Sequence, residues 1–398
     1  MSTVNLPAAE YLDRDRLALA GAVHDAFEDA CSEVGQVRRA FRIGHDVVCV
    51  HFAGPALVDR MMRALAPLEI DADTPATATI EAWDSTSTGR RMPMLIADLL
   101  RLLDATWLGD RGWRGDIREY CGGAARAAYY GPRLLSTYDS TCRRGTFWLQ
   151  DEAALPWYEP GAPFRVLLDW MLVGANRQLV HAGAVCGPGG GILLGGAGGS
   201  GKSTSALSCL GHPAFRYVSD DYVVVELDEE PGANGSAAGA AVKGCRGGVV
   251  ARSIYATAKV KSLADLARFP QLRPSVTNLH RLEDAATQDD GSGTADEEKP
   301  MLFVHEALAG ALASDVPVRA LVFPRYLALD DCTIAPLRAD VAFKLLAPST
   351  VQQVPTDTAQ ALRCMRTLTQ RVPAYGLGLP TDSSKIPDAL LRILDMAS

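Results

Sequence analysis

The sequence predicts an α/β protein with a mixed β-sheet, preceded by an α+β region, and three observations support this. An apolar run at 192–194 leads into a glycine-rich loop and then into apolar residues at helical spacing, which indicates strand, turn and helix. The short turn 187–190 separates that run from the strand predicted at 178–186, so these two strands must be antiparallel. Later strand patterns lie at 300–305, 318–324 and 333–337, and helical patterns at 340–346, 358–371 and 388–396.

The length of 398 residues is most simply divided into two domains, each large enough to bury a core. A polar segment at 151–163 contains three prolines and is typical of a domain boundary. We therefore expect an α+β N-terminal domain at 1–160, with a role in substrate docking, and an α/β domain at 161–398. Within the first domain the patterns predict helices at 17–27 and 55–65, two strands turned at Gly44-His45, and a strand at 77–83.

The composition is that of a soluble globular protein, with 48% hydrophobic and 22% charged residues. A net charge of -8 disfavours binding to nucleic acid or to an anionic membrane. No apolar run approaches the roughly 18 residues of a membrane span, and no signal sequence is recognised, so we expect a cytoplasmic protein. The nine cysteines are scattered and never form Cys-x-x-Cys, which argues against a disulfide framework or a cysteine-based zinc site.

The glycine-rich loop carries the first motif with chemical meaning: Gly, four residues, Gly-Lys-Ser, which fits the phosphate-binding P-loop. Glycines allow backbone N–H groups to turn towards a phosphate with no Cβ in the way. The lysine can reach the outer phosphates of a nucleotide, and the serine hydroxyl can ligate Mg²⁺. The predicted phosphate-binding residues are Gly196, Ala197, Gly198, Gly199, Ser200, Gly201, Lys202, Ser203 and the following Thr204.

Two adjacent aspartates, Asp220 and Asp221, interrupt an otherwise apolar and aromatic strand pattern at 215–227. Burying adjacent carboxylates costs several kcal/mol each unless a cation or hydrogen bonds compensate. Near a phosphate-binding loop the natural compensator is Mg²⁺, which favours a metal-binding role. The alternative is a simple turn between two strands.

The loop, a histidine-bearing strand and the Asp-Asp pair together resemble the HPr serine kinase family, whose core is shared with the ATP-dependent phosphoenolpyruvate carboxykinases. The matching stretches are 179–185, 193–203 and 217–221. Residues 255–259 and the pair Glu298-Lys299 look like HPr-kinase-related proteins that phosphorylate other targets, one branch of which modifies serine in lasso peptide precursors. The resemblance implies a P-loop kinase domain of the HPr kinase and carboxykinase type. HPr kinases are hexamers, so the resemblance makes a homo-oligomer one possible state of this chain, and the sequence leaves the oligomeric state open.

The resemblance also implies a role for each matching position. Residues 196–204 would hold the phosphates of ATP together with Mg²⁺, and His181 would lie close to the Asp220-Asp221 pair. One aspartate would take the proton of the acceptor hydroxyl and the other would bind the metal; Asp220 is preferred as the base, and Asp221 with Ser203 as metal ligands. The later catalytic arginine and acidic residues of the family have no matching stretch here. Substitutes on chemical grounds alone are Arg252, Lys259, Glu298, Lys299 and Arg325.

The sequence therefore predicts a Mg²⁺- and ATP-dependent kinase that acts on a hydroxyl, with serine of a peptide or protein as the preferred acceptor. A kinase for a small-molecule hydroxyl on the same core is the first alternative, because the sequence does not distinguish an open cleft from a closed pocket. A second alternative, from another class, is a nucleotide-sensing module without transfer activity. A carboxykinase is disfavoured because no additional set of metal ligands is present.

Overall fold

The structure, a computed structural model, describes residues 7–92, 107–111, 117–122, 125–130, 134–174, 176–228, 248–260, 263–267, 270–280, 300–353 and 357–398. The chain divides into two compact units, Met1–Met171 and Leu172–Ser398. Glu298 and Lys299 lie outside these residues, and so do the Gly- and Ala-rich stretch 229–247 and the whole of the acidic stretch 287–298. No described helix is both long and apolar enough to cross a membrane.

The first unit is built on one sheet of mixed direction, whose described strands follow the order β3-β1-β2-β4-β9-β8-β7-β6-β5. Strand β4 runs parallel to β2 and to β9, and the other neighbours are antiparallel. The predicted hairpin at Gly44-His45 and the strand predicted at 77–83 are confirmed as β1, β2 and β4. The strands are β1 (Gln36–Ile43), β2 (Asp46–Ala53), β3 (Glu69–Ile70), β4 (Ala78–Asp84), β5 (Trp107–Arg111), β6 (Ile117–Gly122), β7 (Ala125–Tyr130), β8 (Leu134–Asp139) and β9 (Arg144–Leu149).

A long helix packs on this sheet and buries Val23, Phe27 and Ala30 against Trp83 and Trp148. Their spacing of three and four residues places them on one helical face. The helix predicted at 55–65 is shorter than expected and continues as a 3-10 segment, 63–68, that contains Pro67. The described helices that begin in this unit are α1 (Pro7–Val34), α2 (Val58–Met62), α3 (Ser85–Thr88) and α4 (Arg165–Leu172).

The second unit holds a mixed sheet with the order β10-β14-β15-β18-β12-β11-β13, in which β20 pairs with β18 and β19. Strand β18 runs parallel to β12 and β20, whereas β11 and β12 form the expected antiparallel pair. The predicted mixed α/β class is therefore confirmed. The strands are β10 (Arg177–Val180), β11 (Gly183–Gly187), β12 (Gly190–Leu194), β13 (Arg216–Ser219), β14 (Val223–Leu227), β15 (Val249–Ser253), β16 (Thr257–Lys259), β17 (Met301–Phe303), β18 (Asp315–Leu329), β19 (Thr333–Leu337) and β20 (Ala374–Pro380).

Helices cover both faces of this sheet, because the side chains of β12 alternate between two cores. Ile192 and Leu194 belong to one core with side chains of α5 and α10, and Leu193 belongs to the other with side chains of α8 and α9. A strand buried on both faces is apolar throughout, which is the pattern seen at 192–194. The helices are α5 (Lys202–Ser208), α6 (Leu263–Ala267), α7 (Val304–Leu308), α8 (Ala339–Gln353), α9 (Thr358–Arg371) and α10 (Ile386–Met396).

Two predicted strands are broken in the structure. The chain predicted as one strand at 178–186 bends at His181-Ala182 between β10 and β11, and the strand predicted at 215–227 bends at 220–222 between β13 and β14. Because β10 pairs with β14 and β11 pairs with β13, the two bends lie side by side in neighbouring segments of the sheet. Asp220 and Asp221 therefore lie in a turn between two strands, as the alternative in the sequence analysis proposed for the backbone.

Two further differences lie later in the chain. Residues 257–259, which are not among the predicted strands, form β16, which pairs with β17. Strand β20 had no counterpart in the sequence prediction, because its two glycines weaken the strand pattern.

Candidate active site

The topology brings three segments that carry predicted site residues to one edge of the sheet in the second unit. Strands β12 and β13 are both antiparallel to β11, and their last residues, Leu194 and Ser219, pair with Gly183 and Ala184 at its start. The loop after β12, Asp220 after β13 and His181 just before β11 therefore meet at this edge. The sequence motifs converge because of strand direction.

The glycine loop, defined here as residues 195–201, joins β12 to α5. Gly196, Gly199 and Gly201 adopt φ values of 126°, 82° and 108°, which side-chain-bearing residues rarely adopt. At Gly201 a Cβ would also collide with the side chain of Leu379 on β20 and would lie 3.7 Å from Cβ of Pro324 on β18. Gly201 is thus fixed both by its backbone conformation and by its close packing against two strands.

Lys202, the first residue of α5, turns its side chain back over the loop and is only 6% exposed. Its Nζ donates hydrogen bonds to the backbone oxygens of Gly196 at 2.8 Å and Ala197 at 3.1 Å. A buried ammonium group needs such acceptors to offset its lost hydration. The lysine therefore closes the loop and brings a positive charge to its inner side.

Asp220 is fully buried, and the hydroxyl of Ser203, a described donor beside its carboxylate, is too far or too poorly aligned for a normal hydrogen bond. Burial, followed by the charge of Asp221, raises the pKa of Asp220 to about 7. The hydroxyl of Ser203 lies near enough to lower that pKa, as do the charges of Lys259 and Lys202. A buried carboxylate whose oxygens accept no hydrogen bond is costly, and it is a feature of sites that receive a cation.

The pKa of Asp221 is shifted in the opposite direction from that of Asp220. Its Oδ2 forms a close ion pair with Nζ of Lys259, and its Oδ1 lies 3.9 Å from Nε2 of His181. Burial alone would raise the pKa of Asp221, but the charges of Lys259 and His181 bring it down to about 2. The side chain of Asp221 remains 24% exposed. Asp221 is thus an ionised carboxylate that solvent can reach.

His181 contacts helix α8 and the bend between β13 and β14. Its backbone N–H donates to Oγ1 of Thr350 on α8 at 3.2 Å, and its ring lies 5.6 Å from the ring of Tyr222. The Tyr222 hydroxyl in turn donates to Oε1 of Gln353 at 2.9 Å. Sequence reasoning missed Thr350 and Gln353, since nothing local in a helix 169 residues away points to this contact.

A close backbone approach joins the two bends. A Cβ on Gly183 would lie 3.2 Å from the backbone oxygen of Asp220, so only a residue without a side chain fits easily there. The glycine two residues after His181 therefore allows the histidine-bearing segment and the Asp220-Asp221 segment to lie side by side.

The remaining predicted residues lie in different surroundings. Arg252 on β15 is bound to Glu226 at 3.0 Å and Asp315 at 2.9 Å, so its charge ties neighbouring strands together. Arg325 is exposed on β18, which runs parallel to β12 and so carries it towards the same sheet edge as the loop. Of the candidate substitutes in the described chain, only Lys259 contacts the aspartate pair.

The residues of the loop and of the start of α5 differ in exposure: Ala197, Gly198 and Gly199 are exposed, and Ser200, Ser203 and Thr204 are half-buried.

Comparisons with known proteins add little to this geometry. No protein-family model matches the chain, and no curated protein matches its sequence. The structure of the Hpr(Ser) kinase/phosphatase from Coxiella burnetii is a weak structural neighbour, with 11% sequence identity and a TM-score of 0.27. The alignment covers 55% of this chain and 97% of that chain. At this TM-score the similarity carries no argument about activity.

Proposed function

We propose that this protein is an ATP-dependent kinase that transfers the γ-phosphate to a hydroxyl group, with serine of a peptide or protein as the acceptor. One observation carries the proposal: a glycine loop closed by Lys202 lies at the same sheet edge as two aspartates in unlike surroundings. Phosphoryl transfer needs clamped phosphates, charge neutralisation and a carboxylate that orients the nucleophile. The loop with Lys202 would clamp the phosphates, Asp220 would hold the Mg²⁺ that neutralises their charge, and Asp221 would orient the nucleophile.

The proposed nucleotide-binding step uses the loop and Lys202. The ammonium of Lys202 donates to two neutral carbonyl oxygens. Phosphate oxygens carry full negative charge and are stronger acceptors, so the phosphates of ATP would replace these contacts. Residues 197–199 are exposed, so a nucleotide can reach the loop from solvent.

The donor set around Ser203 fits a hard cation. The Ser203 hydroxyl and the Asp220 carboxylate offer oxygen ligands, and both Asp220 oxygens are buried without a hydrogen bond from a described residue. When bound there, Mg²⁺ would neutralise charge on the phosphates. The sequence-based preference gave the metal to Asp221 and the proton to Asp220. The burial of Asp220 beside Ser203 favours the reverse assignment.

Asp221 is the proposed group on the acceptor side. Because its carboxylate is ionised and partly exposed, it can accept a hydrogen bond from a hydroxyl arriving from solvent. The hydroxyl oxygen forms a bond to the γ-phosphorus while the bond from that phosphorus to the bridging oxygen breaks. ADP leaves with the electron pair, and the hydroxyl proton passes to Asp221. Lys259 and His181 hold the two oxygens of Asp221 in place.

Replacing Lys202 by methionine should weaken ATP binding at least about tenfold, because the phosphates would lose a charge-assisted donor. The measurement is titration with a fluorescent ATP analogue in the presence of Mg²⁺. Lys344→Met is the matched control, since Lys344 is an exposed lysine on α8. Equal affinities in wild-type, Lys202→Met and Lys344→Met proteins would show that the loop does not bind the phosphates.

The function itself is tested with ATP labelled at the γ-phosphate, Mg²⁺ and a fractionated lysate of the native host, followed by mass spectrometry. A phosphorylated serine in a peptide or protein is the expected product, and it should be absent with Asp221→Asn protein. A phosphorylated metabolite would replace the peptide acceptor by a small molecule. Nucleotide binding without any transfer would refute the kinase and leave a nucleotide-sensing module.

A further inference from the structure

A second cluster of metal-ligating side chains lies in the first unit, between α1 and its sheet. His24 and Glu28 are one turn apart on α1, and Glu81 extends from β4 towards them. Nδ1 of His24 lies 2.8 Å from Oε1 and 2.9 Å from Oε2 of Glu81. One ligand atom from each of these three residues lies within 4.8 Å of the other two.

The charge balance of this cluster is unfavourable as it stands. Glu81 is 3% exposed, so its carboxylate has lost nearly all its hydration. Its hydrogen-bond partner is a single imidazole, while Glu28 adds a second negative charge. Arg144 on β9 contributes only a more distant positive field. Two carboxylates and one imidazole carry a net negative charge even when the imidazole is protonated, and a divalent cation would neutralise it.

We infer that His24, Glu28 and Glu81 form a zinc site. One imidazole nitrogen and two carboxylate oxygens are a donor set that Zn²⁺ accepts, at distances of about 2.0 to 2.2 Å. Mg²⁺ and Ca²⁺ prefer all-oxygen sites, so the histidine selects against them. Three protein ligands leave one position of a tetrahedron for water.

The residues around the three ligands let an ion enter from solvent and hold one ligand in a fixed position. Glu28 is exposed, which gives the ion a direct path from solvent, whereas Glu81 is fixed within the sheet. His51 on β2 pairs in register with Glu81 and therefore flanks it on the same face of the sheet. Binding would replace the hydrogen bond between His24 and Glu81 by two bonds to the ion, with release of the proton between them. The ion would then join α1 to β4 through His24 and Glu81, which are 57 residues apart in the chain.

The inference is tested on the full chain, stripped of metal with a chelator and titrated with Zn²⁺ by calorimetry. We expect one Zn²⁺ per chain at this site, an increase of the melting temperature with Zn²⁺, and affinity reduced at least about tenfold by Glu28→Gln or His24→Ala. Glu28 is exposed, so Glu28→Gln should not impair folding. Asp25→Asn, on an exposed residue of the same helix, should bind Zn²⁺ like wild type.

The proposed kinase site also contains a histidine and carboxylates, so Asp221→Asn is needed as a second reference. Under our inference Asp221→Asn retains the Zn²⁺ that Glu28→Gln loses. Zinc binding that is unchanged in both Glu28→Gln and His24→Ala, or absent from the wild-type protein at micromolar concentration, would overturn the inference. The titration measures the ion directly, so its outcome does not depend on whether the protein is a kinase.

Discussion

Asp221→Asn is expected to lower the rate of phosphoryl transfer by about 10³-fold, within the range found for removing a general base. The amide has nearly the same shape but cannot take the acceptor's proton. The ionised carboxylate of Asp221 is the part of the aspartate pair that solvent reaches, so its loss should affect transfer more than nucleotide binding. Single-turnover transfer from labelled ATP, together with equilibrium binding of ATP, measures the two effects separately.

Asp220→Asn is the matched comparison, because the two residues are adjacent and the substitution is chemically identical. Here we expect the Mg²⁺ dependence of ATP binding to be lost, since Asp220 is the carboxylate buried beside Ser203. The reverse pattern, with Mg²⁺ dependence lost in Asp221→Asn and kept in Asp220→Asn, would restore the assignment favoured by the sequence. Full transfer activity in both variants would exclude the pair from catalysis.

Lys259→Met is expected to reduce transfer by about 100-fold, comparable with the loss of one preorganised charge-stabilising donor. Without the ammonium the pKa of Asp221 rises, because Lys259 is the strongest influence that lowers it. A carboxylate with a pKa nearer its usual value is still ionised at neutral pH, so the expected loss comes from the missing positive charge and the missing contact. The carboxylate also loses the contact that fixes one of its oxygens. Transfer should therefore fall while ATP affinity changes little, which is measured with the same two assays.

Lys259→Arg provides the control for Lys259→Met, since it keeps the positive charge on a longer side chain. Partial recovery of transfer with arginine is expected if the charge matters. Removing one partner of a part-buried ion pair also costs stability, so the melting temperature of each variant is compared with that of the wild-type protein. A folded Lys259→Met protein with wild-type transfer would show that the ion pair has no part in the reaction.

The sequence predicted secondary structure correctly where the pattern lay within one element or one short turn. The strand at 333–337 and the helix at 358–371 have the predicted bounds, and the antiparallel pairing of β11 with β12 followed from the length of the turn between them. The bends at His181 and Asp220 could not be predicted in this way. Each is set by pairing with another strand, and an apolar run gives no sign of where its partner changes.

Contacts between distant segments account for the other residues that were missed. Lys259 was named only on chemical grounds, and its ion pair with Asp221 depends on β16 pairing with β17, which lies some 40 residues further along the chain. Glu81 had no local signal as a metal ligand, because His24 and Glu28 come from a helix in an earlier part of the sequence. Spacing within one element reveals ligands on that element alone.

The packing of Gly201 against Leu379 and Pro324 holds one end of the glycine loop in place before any nucleotide binds. At its end nearest α5 the loop takes its shape from β18 and β20, and so from the folding of the sheet. The conformational entropy of that part of the loop is therefore lost during folding. The free energy of nucleotide binding does not include this loss. If the protein binds ATP as proposed, substitutions at the buried Leu379 would weaken that binding by loosening the loop.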